Sequence, residues 1–247
     1  MDKPVQTRRR RGIYLLPNLF TTAALFCGFY GITAAINGRP EIAAIVIFIA
    51  MVLDGMDGRV ARLTNTQSEF GAQYDSMADM VSFGAAPAVL MYVWSLSSLG
   101  KFGWFAAFVH AAGGALRLAR FNAQLATADK RYFQGLPSPA AAAILAGFVW
   151  VATEYGLQGA PLSVVSAVLS IASGLLMVSN FRYYSFKDID LRGKVPFVVA
   201  IAVMLCFGLI FTHPPVMLFG LFFVYALSGP VVTLLLLRKR RSKRGAS

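Results

Sequence analysis

Charge is scarce in this sequence, and acidic charge most of all. Only 11 of 247 residues are Asp or Glu, against 23 Lys and Arg, giving a formal charge of +12. Charged residues make up 14% of the chain, where a typical soluble domain has about 25%. That is too little to cover the exterior of a soluble fold of this length, so an ordinary soluble enzyme is excluded. Cysteine and histidine are nearly missing too, at two each. Cys27 and Cys206 stand inside apolar runs with no metal-like spacing and are expected to pack as small hydrophobes. His110 and His213 are isolated and are expected to be packed or interfacial side chains. Zinc chemistry, disulfide scaffolds and soluble redox motifs are thereby set aside.

What is abundant is apolar. Hydrophobic residues make up 57% of the chain and the mean hydropathy is +0.63, so lipid is the natural solvent. The basic residues do not form one stripe on a polar domain, as nucleic-acid binding would require. Lys3 and Arg8 to Arg11 crowd the N-terminus, and Arg238 to Arg241, Lys243 and Arg244 crowd the C-terminus. Basic flanks of this kind hold the ends of a membrane protein at an anionic cytoplasmic surface.

A membrane span needs about 20 mostly apolar residues. Eight such runs are predicted: Leu15 to Ile36, Pro40 to Leu63, Gly71 to Leu96, Phe102 to Leu125, Pro137 to Tyr155, Leu162 to Ser179, Val195 to Phe211 and Pro215 to Leu237. With both termini inside, 21 of the 23 basic residues fall on the inner side and only Arg39 and Lys101 outside. A six-span core with two re-entrant or interfacial segments is the alternative layout. Arg8 to Arg11 before an apolar stretch resembles the start of a signal peptide, but the stretch is long enough to span and more spans follow, so an uncleaved first helix is expected. The expected organisation is one all-α, polytopic helix bundle over residues 15–237, with basic cytoplasmic tails at 1–14 and 238–247.

Four of the few acids gather in one place. Asp54, Asp57, Asp75 and Asp79 lie at the predicted inner ends of the second and third spans. An acid within a span costs at least about 2.5 to 3.5 kcal/mol at a helix centre, so a group of four calls for a joint role. Asp54 and Asp57 are spaced i, i+3 and Asp75 and Asp79 i, i+4, so each pair shares one helix face. Opposed faces would bring four carboxylates together, and like charges that close need protons or cations between them. Oxygen ligands without His or Cys suit hard Mg²⁺ or Mn²⁺, and four of them suit a two-metal site. A calcium EF-hand does not fit, because Gly55 and Met56 stand where that loop needs oxygen ligands and no terminal Glu follows.

The residues woven between the acids suit a phosphate. Gly58 and Ala61 leave one helix face bare for a ligand, and Arg62, one turn after Gly58, can fork onto a phosphate. Gly71 opens the next helix four residues before Asp75. Small residues could serve tight helix packing alone, but packing does not account for the acids.

The string Asp54-x2-Asp57-Gly58-x2-Ala61-Arg62-x8-Gly71-x3-Asp75-x3-Asp79 resembles the signature of the CDP-alcohol phosphotransferases at every fixed position. Further blocks are similar to one branch, the membrane-integral bacterial phosphatidylserine synthases: Pro17 to Thr21, Asp75 to Pro87, Leu116 to Asn122, Gly135 to Pro139 and Asn180 to Lys187. The last two spans match in character only.

The resemblance implies transfer of a phosphatidyl group from CDP-diacylglycerol to the hydroxyl of L-serine with release of CMP, in a bacterial inner membrane and on its cytoplasmic side. It implies a six-helix catalytic core and a homodimer. By the same resemblance Asp54, Asp57, Asp75 and Asp79 would hold two divalent ions, Mg²⁺ or Mn²⁺, with Asp79 doubling as general base. Gly58, Ala61, Arg62, Ser68, Gly71 and Asn18 would border the CDP-lipid. Arg117, Arg120, Asn180, Arg182 and Lys187 are candidates for serine, on the inner side where basic residues also set topology. Glycerol 3-phosphate or an inositol phosphate as acceptor, a cation-coupled transporter, and a structural membrane protein are the competing readings.

Overall fold

The computed structural model describes residues 15–64, 66–124, 132–184, 204–205, 208 and 211–244. These form a helical bundle in the order α1 (Leu15–Ile36), α2 (Pro40–Leu63), α3 (Glu69–Asp79), a π-helical turn (Met80–Ala85), α4 (Ala86–Trp94), α5 (Lys101–Gln124), β1 (Tyr132–Gln134), α6 (Ser138–Glu154), α7 (Ser163–Val178), β2 (Arg182–Tyr184) and α8 (Pro214–Arg244). Short 3-10 turns at Leu96–Leu99 and Ala160–Leu162 lead into α5 and α7.

Local chemistry sets the boundaries. α1 ends at a turn where Gly38 takes φ +70, a conformation that glycine adopts without steric cost, and Pro40 then opens α2 at its first position. Ser68 caps α3, its Oγ accepting from the Gly71 N–H at 3.0 Å. The first two helices therefore begin and end where the sequence predicts them. The third predicted span is displaced to Glu69–Trp94, because the cap lies at Ser68 rather than at Gly71.

Among the described residues, four helical segments are long and apolar enough to cross a membrane: Leu16–Ile36, Glu69–Trp94, Ala160–Val178 and Pro214–Leu234. α6 is apolar but only 17 residues long. α2 carries Asp54, Asp57, Arg59 and Arg62 in its second half, and α5 carries Lys101, Arg117 and Arg120, which dilutes their apolar character. The predicted span at Val195 to Phe211 lies largely outside the described residues, as do Cys206, Lys187 and the N-terminal basic cluster. α8 runs on to Arg244, past the expected end at Leu237, since Lys and Arg are good helix formers.

The bundle is all-helical, as expected, with one short ribbon set between its helices. β1 and β2 pair antiparallel, with Tyr132 opposite Tyr184 and Gln134 opposite Arg182, and join the start of α6 to the end of α7. The reason is a close approach at Gly135, whose φ of +80 and missing Cβ let the chain lie against the Met177 carbonyl. Gly135 N then bonds Phe181 O at 2.9 Å and Leu136 N bonds Leu176 O at 3.0 Å.

The core is built largely of alanine. Ala43, Ala44, Ala50, Ala142, Ala143 and Ala146 are buried between α2 and α6, and small residues let helices approach closely where lipid offers no hydrophobic drive to associate. Phe83, Leu90, Met91 and Leu145 fill the wider spaces. α1 packs along α2 and also along α3 and α4, while α2 packs on α4, α6 and the π-helical turn.

Candidate active site

α2 and α3 meet through a tight turn. Thr64 ends α2 with its Oγ1 donating to Val60 O at 2.7 Å, and Thr66 N bonds Ala61 O at 3.0 Å. Two residues later Ser68 starts α3. This reversal sets the last turns of α2 beside α3, and Asp54, Asp57 and Asp75 each bring one carboxylate oxygen within 4.8 Å of the others. Three hard oxygen donors that close, with no His or Cys among them, fit a divalent cation of the magnesium or manganese kind.

Two of the acids have identified neighbours. Asp57 is buried, and Thr21 Oγ1 on α1 donates to its Oδ2 at 2.7 Å. Asp79, one turn after Asp75, lies against Asp54 and within electrostatic reach of Asp75 and of Arg117 on α5. The structure thus brings the four predicted acids into one neighbourhood, three of them as a compact cluster and Asp79 at its edge.

Asn18, Ser68 and Gly71 also come together: a Cβ on Gly71 would stand 3.1 Å from Ser68 Oγ and 3.6 Å from Asn18 Oδ1. Gly58 has open space where a Cβ would be. Arg62 folds back so that its Nε donates to Gly58 O at 2.9 Å, which holds the guanidinium over that bare stretch of helix. Ala61 lies in the same turn, partly buried.

The remaining candidates form a second group. Arg117 is partly buried, donates from Nη1 to Ser138 Oγ at 3.0 Å and faces both Asp79 and Tyr225 of α8. Arg120 reaches Asn180 Oδ1 from Nη1 at 3.4 Å. Arg182 lies in β2, its side chain outside the described residues, as is Lys187 altogether. Arg117 is tied by its surroundings to the acids through Asp79.

Several further residues meet at this site through contacts that the sequence does not show. Thr21 was legible as a polar residue inside an apolar span, yet nothing local pairs it with Asp57. Thr22 Oγ1 and the Tyr74 hydroxyl share a 2.9 Å hydrogen bond, and Ser76 and Asn122 bond each other at 3.1 to 3.2 Å. Ser138 and Tyr225 meet Arg117 only through the tertiary fold. Tyr183 anchors α8 beside them: it is fully buried, its hydroxyl donates to Ala226 O at 3.0 Å, and burial with Tyr225 close by pushes its phenol up to about 12.

The comparison with known proteins is decisive on ancestry. Residues 14–179, which include all four acids and the turn between α2 and α3, match the family model described as CDP-alcohol phosphatidyltransferase. The chain belongs to that family. Among curated CDP-alcohol phosphatidyltransferase relatives, a Helicobacter pylori protein named CDP-diacylglycerol--serine O-phosphatidyltransferase is 36% identical over 218 residues, covering 87% of this chain and 90% of its own. A protein of the same name from Methanocaldococcus jannaschii is 36% identical, covering 74% of this chain and 81% of its own. A third, from Bacillus subtilis, is 32% identical over 70% of this chain and 91% of its own.

Proposed function

We propose that this chain is a membrane-embedded transferase that moves the phosphatidyl group of CDP-diacylglycerol onto the hydroxyl of L-serine and releases CMP. The observation that carries the reading is the meeting of Asp54, Asp57 and Asp75 within 4.8 Å, on helices whose surroundings leave room for a phosphate. The names of the relatives supply the serine.

In this reading Asp54, Asp57, Asp75 and Asp79 hold two divalent cations, Mg²⁺ or Mn²⁺. When bound, these ions supply positive charge to the diphosphate as its bridging bond breaks. Arg62 adds its guanidinium on the Gly58 side. Asn18, Ser68 and Gly71 border the nucleotide, and Gly58 and Ala61 let it approach the α2 backbone. Asp79 accepts the proton of the serine hydroxyl as that oxygen attacks the phosphatidyl phosphorus; the bond to the CMP oxygen breaks in line and CMP leaves. Arg117, held by Ser138 and close to Asp79, is the best-placed cation for the serine carboxylate. Arg120, Asn180, Arg182 and Lys187 are assigned to the rim of the same acceptor site.

The layout that goes with this chemistry has eight spans, a six-helix core and both termini in the cytoplasm, so that the acids face the leaflet where serine and the CDP-lipid are found. A homodimer belongs to the same reading. The test is CMP release by the purified full chain in detergent with CDP-diacylglycerol and Mn²⁺ or Mg²⁺, comparing L-serine, glycerol 3-phosphate, an inositol phosphate and no acceptor. Release that needs serine and metal and disappears in Asp79→Asn supports the proposal. Release with a different acceptor keeps the site and overturns the substrate, and none with any acceptor in a folded sample overturns the transferase.

A further inference from the structure

Pro87 creates a problem four residues upstream. In an α-helix the N–H at position 87 would bond the Phe83 carbonyl, but proline has no N–H, and its ring crowds the carbonyl at i−4. The chain answers within the helix by a π-helical turn over Met80–Ala85, where the Ala86 N–H reaches back five residues to Val81 O. It answers from outside with His110 of α5, which is fully buried and places Nε2 at 3.1 Å from Phe83 O. A carbonyl only accepts, so Nε2 carries the hydrogen. On the other side of the ring, Nδ1 is 2.7 Å from the hydroxyl of Ser173 on α7, which itself lies 2.9 Å from Ser170 O.

The turn is gripped from two further directions. Ser82 Oγ donates to Ala24 O on α1 at 3.0 Å. Gly114 of α5 is close enough to Gly84 that a Cβ on Gly114 would touch the Gly84 Cα at 3.4 Å. The location matters because the turn begins at Met80, immediately after Asp79. A π-helical turn holds one residue more than an α-helical one, and one residue is about 100° of rotation, so the turn sets which way everything before it faces.

We infer that His110 is a positioning residue for the carboxylate cluster: by holding the Phe83 carbonyl that Pro87 deprives of its helical donor, it fixes the π-helical turn and with it the direction in which Asp75 and Asp79 meet Asp54 and Asp57. His110 contacts Ser173 and Phe83, and acts on the acids through the helix. The inference rests on the metal-site reading above.

The experiment measures Mn²⁺ binding to the purified full chain in detergent, from the loss of the free-ion electron paramagnetic resonance signal, alongside metal-dependent CMP release and thermal denaturation. His110→Leu removes the donor, whereas His110→Gln can return an N–H close to the position of Nε2. In the Leu variant Mn²⁺ affinity should weaken by about tenfold or more, on the scale seen when the supports of metal ligands are removed. The metal concentration for half-maximal activity should rise in parallel, and the Gln variant should recover most of the affinity. A folded Leu variant that binds Mn²⁺ as the parent does overturns the inference, as does a Gln variant no better than Leu. Should the Leu variant fail to fold, Ser173→Ala, which keeps the ring but frees Nδ1, is expected to weaken binding to a smaller degree, and unchanged affinity there overturns it. A parent chain that binds no Mn²⁺ overturns the metal reading itself and the inference with it, which separates the two failures.

Discussion

Thr21 Oγ1 on α1 donates a 2.7 Å hydrogen bond to Asp57 Oδ2 on α2, and both side chains are buried. A hydroxyl aimed at one carboxylate oxygen leaves the other to face the cluster and keeps the carboxylate from swinging away. Replacing Thr21 by Val, equal in shape but without the hydroxyl, should weaken divalent-metal affinity by about tenfold. Thr21→Ser should retain most of it. A titration of CMP release against Mn²⁺ checks this, and equal half-saturation in Val and Thr chains would remove Thr21 from the site.

Asp79→Asn is expected to fold and extract like the parent and to lose activity by about 10²- to 10⁴-fold, the usual size of general-base assistance. Asp57→Asn should in addition lose its response to added metal. Near-parental turnover in Asp79→Asn would exclude the base assignment.

Two glycines should behave in opposite ways. A Cβ on Gly28 of α1 would lie 2.6 Å from Ser82 Cα, so Gly28→Ala must push apart α1 and the π-helical turn. Overpacking of this kind costs about 1 to 3 kcal/mol, which thermal denaturation in detergent can read. Gly58 has nothing within 4 Å of that position. Gly58→Val should therefore melt like the parent yet raise KM for CDP-diacylglycerol, because its side chain would enter the space assigned to the ligand. Unchanged kinetics in the Val variant would move the nucleotide elsewhere.

Arg117→Gln should raise KM for serine by about tenfold or more while KM for the CDP-lipid moves little, since a hydrogen bond to a charged group is worth about 1.5 to 3 kcal/mol. Ser138→Ala, which leaves Arg117 without its 3.0 Å partner, should do the same more weakly. Equal effects on both substrates would argue for a structural role.

The acids and their helices were legible because spacing along a helix is local information: i, i+3 and i, i+4 put each pair on one face whatever the rest of the chain does. The end of α1 and the start of α2 were legible for a similar reason, through the Gly38 turn and Pro40. The ribbon was not. Tyr132–Gln134 and Arg182–Tyr184 are three-residue strands separated by two helices, and only the approach of Gly135 to Met177 brings them together. His110 was legible as a packed side chain but not as the partner of Phe83, because that pairing spans 27 residues. Tyr225 and Ser138 near Arg117 were hidden in the same way, being contacts between α5, α6 and α8.

Neighbouring residues on α1 hold opposite walls of the cluster: Thr21 bonds Asp57 on α2, and Thr22 bonds Tyr74, the residue before Asp75 on α3. Two walls lined with like charge repel each other before any cation arrives, and a separate helix tied to both acts as a splint against that repulsion. For the proposed metal site, this means that the two walls are braced by hydrogen bonds that need no cation to form.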